Sequence, residues 1–378
     1  MKKLLIATDA FLPRWDGIAR FLSEIIPKLK EDYEITVLAP KFPNFKNNIN
    51  NIEDYEIIRI PSYNFKFGDY NPPKFCFRVI KDAVKQADIV WTHAIMPIGM
   101  SAIWYSHKMK KPVIAYIHST EWELALNSLS RRNVFRKFSY YCTKLLARFF
   151  YNRCSLLMIP SAKIGEKLNK NRIKTRKTIV HMGVDTDKFA PPKDKRIIKK
   201  GLGINPDSIV IGYSGRLGRE KSVETLYNAF KRLEKKYKKI CLLVVGKGIE
   251  EIEKLFSSHK KIKLVKYTNR MTYYLQAMDI YVMPSLTETS SLSTMEAMAT
   301  GLAVVTTKVG LFSLYIQDKV NGCFFPKEND LVLSLKLQLL IEKKKIREEM
   351  GKNARKTMIE GYQWETTVKK IKKIFREF

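Results

Sequence analysis

Short apolar runs alternate with longer amphipathic stretches along almost the whole of this 378-residue chain. Apolar runs bounded by turn residues predict buried strands, and the stretches between them have helical periodicity. Strands that alternate with helices build parallel sheets, because each parallel connection must cross over the sheet. The predicted fold class is therefore α/β, with doubly wound parallel sheets. In the first half the predicted strands are Lys3–Thr8, Glu34–Pro40, Glu56–Pro61, Asp88–His93, Pro112–His118 and Ser155–Ser161.

A second series of the same kind begins at Ser208, after a segment that contains Gly183 and the Pro191–Pro192 pair. Because glycine and proline interrupt regular elements, we place the linker near residues 186–200. We expect two Rossmann-like domains facing a cleft, residues 1–190 and 191–362, and a last helix in 363–378 that returns toward the first domain. The strands predicted for the second series are Ser208–Gly215, Ile240–Gly246, Ile262–Tyr267, Asp279–Ser285 and Ala303–Thr307.

Charge is the unusual bulk property, with a formal net charge of +32. Such a field attracts polyanions, including nucleic acid, anionic lipid surfaces and phosphorylated substrates, without naming one of them. The five cysteines and five histidines show neither CxxC spacing nor metal-ligand clustering. This scatter argues against a disulfide framework and a metal site, and it fits a cytoplasmic protein. No apolar run approaches the roughly eighteen residues that indicate a membrane-spanning helix.

Two glutamates, Glu288 and Glu296, lie in a polar turn and a helix that follow the predicted strand Asp279–Ser285. The serines and threonines between them favour turns and helix N-caps, and Gly301 is placed to end the helix. A helix that starts right after a strand directs free N–H groups and a positive dipole end at a ligand above the sheet. Phosphate on those amides and sugar hydroxyls on the carboxylates would suit this geometry. Taken alone, the two glutamates are also typical of a solvated turn and a helix's first turn.

The segment from Pro284 to Thr307 resembles the donor-sugar motif of the family 4 glycosyltransferases, which have Glu, seven residues, Glu and then Ala-Met-Ala-x-Gly. The resemblance covers most of the chain and is sharpest from about Val210 to Gly322. It implies the two-domain GT-B architecture, a nucleotide diphosphate sugar as donor, retention of configuration, and no metal or other cofactor. The donor-binding residues that it implies here are Glu288, Ser290, Ser291, Leu292, Ser293 and Glu296.

The turn after the first strand of the second series contains Gly215, Arg216 and Lys221. Open α/β sheets bind ligands at the carboxyl ends of their strands, and a guanidinium with an ammonium suits two phosphates. A basic loop in a basic protein is the plain alternative. The family resemblance implies that Arg216 and Lys221 grip the donor's diphosphate. Gly246 follows the next strand and is expected to allow tight backbone passage near the nucleotide.

Further candidates border these groups. Lys266 and Tyr267 end the next strand and can lie beside the base, although ordinary strand-end roles fit them equally well. The only Asp-x-Asp pair, Asp185 and Asp187, lies in a segment that resembles the family's pre-linker motif, so we expect turn residues and no metal site there. Ser291 stands where many relatives have glycine, which leaves the sugar and base open, with UDP slightly favoured over GDP.

Two histidines end neighbouring strands of the first series, His93 and His118. A histidine at the carboxyl end of a strand can face a cleft with a pKa near neutrality, although a lone histidine is more often structural. The resemblance implies that His118 lies near the transferred sugar, and His93 is the weaker candidate. Gly17 fits the family's first glycine turn, where Asp16 replaces a usual glycine. The role of Asp16 stays open, because a carboxylate there would repel phosphate unless it binds an acceptor hydroxyl.

Residues 131–153 form a basic and aromatic stretch inside a segment, Leu124 to Gly165, that has no Asp or Glu. Helical spacing groups its apolar side chains, and cations flank them. Such a helix suits an anionic membrane surface, in which case the acceptor is a lipid or polyprenyl-linked molecule. It also suits a long helix that packs on the first sheet, and the sequence favours neither. The apolar set is Val134, Phe135, Phe138, Tyr141, Cys142, Leu145 and Phe149, and the cations are Arg131, Arg132, Arg136, Lys137, Lys144 and Arg148.

These observations predict a retaining glycosyltransferase that moves a hexose from a nucleotide diphosphate sugar to an acceptor hydroxyl of a glycan or lipid. His118, Arg216, Lys221 and Glu288 are its predicted catalytic residues. Peripheral association with the inner face of the cell membrane would follow from the basic helix. A phosphorylase-like or epimerase reaction is the enzymatic alternative. The other alternative is a basic protein that binds nucleic acid or a membrane surface and retains a degenerate transferase fold; we expect no specific nucleic-acid partner.

Overall fold

The computed structural model describes the chain except for residues 15, 43–50, 53–54, 66–70, 119, 124–134 and 267. For residues 51, 52, 135 and 136 it describes the backbone alone. The chain divides into two compact units. The first consists of Met1–Met182 with Thr367–Phe378, and the second is Gly183–Thr366.

The first unit contains a mainly parallel sheet with the strand order β3-β4-β2-β1-β5-β6-β7-β8. Only the pairing of β3 with β4 is antiparallel among the described pairings of this sheet. The five central strands of this order, β2, β1, β5, β6 and β7, are buried over most of their length, as expected for a parallel sheet covered on both faces. They are β1 (Lys2–Ala7), β2 (Tyr33–Lys41), β3 (Asn51–Ile52), β4 (Tyr55–Pro61), β5 (Ile89–Thr92), β6 (Val113–Tyr116), β7 (Leu156–Ile159) and β8 (Lys177–Ile179).

Helices connect these strands and complete the core of the first unit. They are α1 (Gly17–Leu29), α2 (Phe77–Gln86), α3 (Pro97–Lys108), α4 (Phe135–Tyr151) and α5 (Ala162–Lys170). The last helix of the chain, which we number α14 (Trp364–Phe375), enters this unit from Thr367 onward. Its buried Phe375 contacts Trp91 and Tyr33 edge to face, at ring centroid distances of 5.2 and 5.6 Å.

The second unit contains a parallel sheet with the order β11-β10-β9-β12-β13-β14. Its strands are β9 (Ile209–Ser214), β10 (Ile240–Val245), β11 (Ile262–Val265), β12 (Ile280–Met283), β13 (Ala303–Thr307) and β14 (Cys323–Phe325). Its helices are α6 (Lys195–Gly201), α7 (Val223–Glu234), α8 (Glu250–Ser257), α9 (Met271–Ala277), α10 (Leu292–Ala299), α11 (Phe312–Tyr315), α12 (Asp330–Glu342) and α13 (Lys344–Gly361). The predicted α/β class with two parallel-sheet units is confirmed.

Each sheet has a point where the chain changes the direction in which it adds strands. In the first unit this point lies between β1 and β5, and in the second it lies between β9 and β12. The loops at the carboxyl ends of two such strands diverge to opposite sides of the sheet and leave a crevice, where ligands of open α/β sheets bind. Residues that follow β1, β5, β9 and β12 are therefore the first to examine for function.

Candidate functional site

In the second unit the turns after β9 and β10 are joined by backbone hydrogen bonds. The amide of Gly215 donates to Val245 at 3.0 Å, and Leu217 exchanges bonds with the opposite turn. A Cβ at Gly246 would lie 1.8 Å from the carbonyl oxygen of Gly215. Only glycine fits where the two turns cross, because a Cβ at residue 246 would collide with a backbone atom, which cannot rotate away. Gly215 and Gly246 thus shape the floor of the crevice.

Lys221 and Glu288, from the loops after β9 and β12, are in direct contact. Nζ of Lys221 donates to Oε1 of Glu288 at 2.5 Å, and Oγ of Ser285 donates to the same oxygen at 2.9 Å. The two charged side chains are 20% and 9% exposed, so the ion pair is largely shielded from water. Oε2 of Glu288 makes no hydrogen bond to the described residues and remains available to a ligand.

Arg216 lies in the same loop but outside this pair. Its guanidinium donates to Glu220 at 2.6 Å, with about half of its side chain exposed. The carbonyl of Glu220 accepts from the amide of Leu286 at 2.8 Å, which ties the β9 loop to the β12 loop. The structure therefore brings one of the two predicted basic residues against a predicted carboxylate and leaves the other at the rim.

Three buried tyrosines support the loops from below, and the sequence analysis did not single them out. The hydroxyl of Tyr213 donates to the carbonyl of Arg216 at 2.7 Å, that of Tyr281 to Ser214 at 3.0 Å, and that of Tyr315 to Ser290 at 2.6 Å. Burial raises the pKa of Tyr281 to about 12 and the pKa values of the other two well above the usual value, and the charge of Glu288 adds to each shift. They remain neutral donors. For Tyr213 and Tyr281 the sequence contained a signal, because each lies inside a strand that ends in a polar turn.

The loop from Glu288 to Ser291 leads into α10. Ser291 takes a left-handed conformation with φ of 48° and makes no side-chain cap to the helix amides. Leu292 and Ser293 form the first turn of α10, and Glu296 lies one turn further, 2% exposed. A left-handed residue with a side chain costs about 1 kcal/mol, which the surrounding contacts must offset.

The turn after β13 packs against the same loop. Gly310 has φ of 54°, and a Cβ there would lie 2.3 Å from the carbonyl oxygen of Glu288. The amide of Leu311 donates to the carbonyl of Thr289 at 2.9 Å. These contacts fix the backbone of Glu288 from behind, so its carboxylate is held by the fold on one side and by Lys221 on the other.

The remaining candidates of the second unit lie apart from this cluster. Lys266 is exposed and pairs with Glu253 at 2.8 Å, while Tyr267 lies outside the described residues. Asp185 accepts from the amides of Asp187 and Lys188 at 3.1 and 2.8 Å, as a turn residue does. No group of three His, Cys, Asp or Glu side chains in the described chain has the geometry of a metal site.

In the first unit His93 and His118 meet at the ends of β5 and β6. Nδ1 of His93 lies 3.0 Å from Nε2 of His118. Burial lowers the pKa of His118 to about 3 and that of His93 well below its usual value, with the neighbouring ring adding to the second shift. Both imidazoles are therefore neutral at physiological pH, and the near-neutral pKa that the sequence suggested for His118 is wrong. The cause is the aromatic surroundings of the pair.

Two carboxylates near these histidines have structural partners. Asp16 caps α1, because its Oδ1 accepts from the amides of Ile18 and Ala19 at 3.0 and 2.9 Å. Gly17 is the first residue of that helix, and a Cβ there would meet no atom within 4 Å.

Asp9, which the sequence analysis missed, is buried at the end of β1. It accepts from the first amides of α3, those of Ile98 and Gly99, at 3.0 Å each. Burial raises its pKa to about 7. An aspartate that interrupts an apolar strand at its carboxyl end was the signal.

The basic stretch is helical over Phe135–Tyr151, and residues 131–134 lie outside the described chain. Ala147 and Tyr151 face the core of the first unit. The apolar face that the sequence grouped is not the face that packs, because its members Phe138, Tyr141 and Leu145 are at least 60% exposed and Phe149 is 41% exposed. None of the described helices is both long and apolar enough to cross a bilayer.

The family described as "Glycosyltransferase Family 4" matches residues 15–188, and "Glycosyl transferases group 1" matches residues 194–357. The alpha-monoglucosyldiacylglycerol synthase of Streptococcus pneumoniae is 24% identical over 86% of this chain and 75% of its own length. The enzyme of the same name from Acholeplasma laidlawii is also 24% identical, over 87% and 86%.

A solved structure, Anabaena HepE in complex with UDP, superposes on the entire chain. Its TM-score is 0.79 at 16% identity, and the match covers all of both chains. At that identity the likeness shows the fold, two parallel-sheet α/β units in the GT-B architecture. The two family matches, which cover both units, show that this chain belongs to the family 4 glycosyltransferases.

Proposed function

We propose that the protein is a retaining glycosyltransferase that transfers a hexose from a nucleotide diphosphate sugar to an acceptor hydroxyl without a metal ion. The observation that carries the proposal is the contact between Lys221 and Glu288 in the crevice between β9 and β12. One ammonium and one carboxylate with an unused oxygen suit a ligand that has phosphate on one side and hydroxyls on the other. A UDP donor is slightly favoured, and HepE was solved with UDP.

The second unit supplies groups for each part of such a donor. Lys221 has two more ammonium hydrogens for the diphosphate, and Arg216 at the rim can turn its fork toward the same charge. The first amides of α10, at Leu292 and Ser293, face the crevice with the positive end of the helix dipole. These groups stabilise the negative charge that builds on the leaving diphosphate, which is the role a metal ion has in other transferases.

Sugar hydroxyls have carboxylate partners in the same unit. Oε2 of Glu288 accepts a hydrogen bond from one sugar hydroxyl. Glu296 lies on α10, and Ser290, Ser291 and Ser293 lie between the two glutamates in the sequence. Among the described residues no carboxylate stands out as a covalent nucleophile, and the family resemblance implies that departure and attack on the same face account for retention. His118 of the first unit contacts the transferred sugar. In this assignment residues 1–190 bind the acceptor, 191–362 bind the donor, and 363–378 return to the first domain.

The donor assignment can be tested by a thermal-shift panel of UDP, GDP and ADP sugars, followed by turnover with the one that binds. Lys221→Ala and Glu296→Ala are expected to lose at least tenfold in kcat/KM, because a hydrogen bond to a charged group contributes about 1.5–3 kcal/mol. Lys352→Ala removes an exposed lysine of α13 and serves as the charge-matched control. Turnover equal to wild type in both site variants, or no nucleotide sugar bound at all, would refute the proposal.

We further propose a lipid acceptor at an anionic membrane surface, the inner face of the cell membrane. The exposed aromatic face of α4 continues into an open groove of about 630 Å³ whose lining includes Leu145, Phe149 and Arg153. The guanidinium of Arg153 lies 3.5 Å from the ring centroid of Phe149, and no acidic residue occurs from Leu124 to Gly165. Each cation near charged lipid adds about 1 kcal/mol to binding. The two synthases similar to this chain have names that describe glucosylated diacylglycerol.

Flotation with vesicles of phosphatidylglycerol and of phosphatidylcholine tests this second assignment. Wild type is expected to float with the anionic vesicles in low salt, and Leu145→Glu is expected to lose most of that binding. Leu335→Glu is the matched control, since Leu335 of α12 is a leucine 56% exposed in the other unit. Equal flotation of both variants would show that α4 is not the contact.

A further inference from the structure

His93 and His118 of the first unit lie within hydrogen-bonding distance of each other. They end the neighbouring parallel strands β5 and β6, and Nδ1 of His93 lies 3.0 Å from Nε2 of His118. At that distance one nitrogen must donate and the other accept. For a neutral pair two arrangements exist. Either His93 has its proton on Nδ1 and donates, or His118 has its proton on Nε2 and donates.

The surroundings of His93 distinguish these arrangements. His93 is 2% exposed, and its Nε2 is buried without a hydrogen-bond partner in the described part of the chain. If His118 donated, that Nε2 would carry a proton and become an orphaned buried donor. Orphaned buried N–H groups are rarer in proteins than orphaned acceptors.

Trp91 strengthens the distinction. Its indole Nε1 is a buried donor that also lacks a partner among the described residues, and its ring centroid lies 4.2 Å from that of His93. Two orphaned donors side by side would both lose their hydration without compensation. A bare Nε2 on His93 avoids this arrangement.

We infer that His93 donates from Nδ1 to Nε2 of His118 and thereby holds neutral His118 with its proton on Nδ1. Nδ1 of His118 makes no hydrogen bond to the described residues, and the residue as a whole is half-buried. His118 then presents an N–H donor to an oxygen of bound substrate, and its only lone pair is occupied. It cannot act as a general base in this state. His93 is a positioning residue, because it acts through His118.

The inference rests on the proposed function only in giving His118 a substrate to contact; the tautomer can be measured without one. The chain is labelled with ¹⁵N-histidine, and long-range proton–nitrogen correlation separates protonated from bare ring nitrogens. Spectra of His118→Gln and His93→Asn assign the signals. We expect a protonated Nδ1 and a bare Nε2 on both residues near neutral pH. A protonated Nε2 on either residue, or an imidazolium on either, would overturn the inference.

Kinetics with the active donor tests the positioning role. His93→Leu is expected to lower kcat/KM about tenfold, the upper range for one hydrogen bond. His93→Asn, which keeps a donor near the Nδ1 position, is expected to recover most of that loss. In a His118→Ala background His93→Leu is expected to cost nothing further, because coupled residues are not additive. The same tenfold loss in both backgrounds would mean that His93 is merely structural.

The two proposals fail in different ways. If His118→Ala leaves turnover unchanged, the assignment of His118 to the transfer reaction is wrong, while the nitrogen spectra still decide the tautomer. Thermal unfolding of each variant shows whether it is folded, and His93→Asn provides the comparison if His93→Leu is not.

Discussion

The neutral histidine pair predicts a specific dependence of stability on pH. His118→Gln replaces an imidazole whose pKa is lowered from 6.5 to about 3 by burial. At pH 5 the unfolded chain binds a proton on this histidine and the folded chain does not. Stability therefore falls as the pH drops below 6.5, because the unfolded state binds more protons. At pH 5 this histidine lowers the free energy of unfolding by about 2 kcal/mol, and at pH 8 by almost nothing.

The variant lacks this penalty. At pH 8 we expect His118→Gln to be less stable than wild type by about 1 kcal/mol, the contribution of the lost hydrogen bond. At pH 5 the difference is expected to shift by about 2 kcal/mol in favour of the variant, which makes it the more stable protein. The wild-type curve alone cannot show this. Burial raises the pKa values of Asp9 and Glu121 to about 7, so these two carboxyl groups stabilise the folded protein as the pH falls. Their effect opposes that of the histidines over the same pH range.

Urea denaturation followed by tryptophan fluorescence suits the measurement, because four of the five tryptophans lie in residues 1–182. His107→Gln, an exposed histidine at the end of α3, controls for the loss of a histidine as such. If the curves of His118→Gln and wild type run parallel between pH 8 and pH 5, His118 is not buried as a neutral imidazole, and the reasoning fails.

Three further variants test the geometry of the two crevices. In Gly246→Ala the new Cβ would lie 1.8 Å from a carbonyl oxygen, so we expect this variant to lose about 3 kcal/mol of the free energy of unfolding and to lose donor binding. Gly361→Ala is the control, because a Cβ there meets open space, and it is expected to unfold at the wild-type temperature or above. Asp16→Ala is expected to destabilise α1 by about 1 kcal/mol in urea, and Asn at that position to restore it. Lys221→Met leaves the shielded carboxylate of Glu288 without its partner, so we expect thermal unfolding to show a loss of about 3 kcal/mol in stability. Adding Glu288→Gln to the same chain is expected to restore most of that stability. An equal loss in the double variant would contradict a stabilising ion pair.

Strands with a long apolar run were predictable from the sequence, and very short ones were not. Ala303–Thr307 was expected as a strand and is β13 with the same bounds. By contrast, β8 and β14 have three residues each, and neither was expected. Three residues are too few to establish a period of two against the alternatives. Their place at the sheet edges comes from pairing with a neighbour, which is a tertiary effect.

The turns of the site were predictable by position, but their mutual contacts were not. Lys221 and Glu288 were assigned to separate halves of a donor site, and the structure brings them within one hydrogen bond of each other. They are 67 residues apart, and only the adjacency of β9 and β12 makes them neighbours. Strand order is not encoded in local periodicity. The same holds for His93 and His118, which were named separately and lie 3.0 Å apart between Nδ1 and Nε2.

The two units place different chemistry at the carboxyl ends of their strands. Between β9 and β12 lies a charged pair, Lys221 and Glu288, whose ammonium suits a diphosphate and whose carboxylate suits sugar hydroxyls. At the ends of β5 and β6 lies an imidazole pair, which by our inference presents a single N–H donor to the substrate. A charge developing on the leaving group is stabilised far more by an ammonium than by a neutral N–H. If transfer proceeds as proposed, Lys221 stabilises the transition state, while His118 orients the substrate.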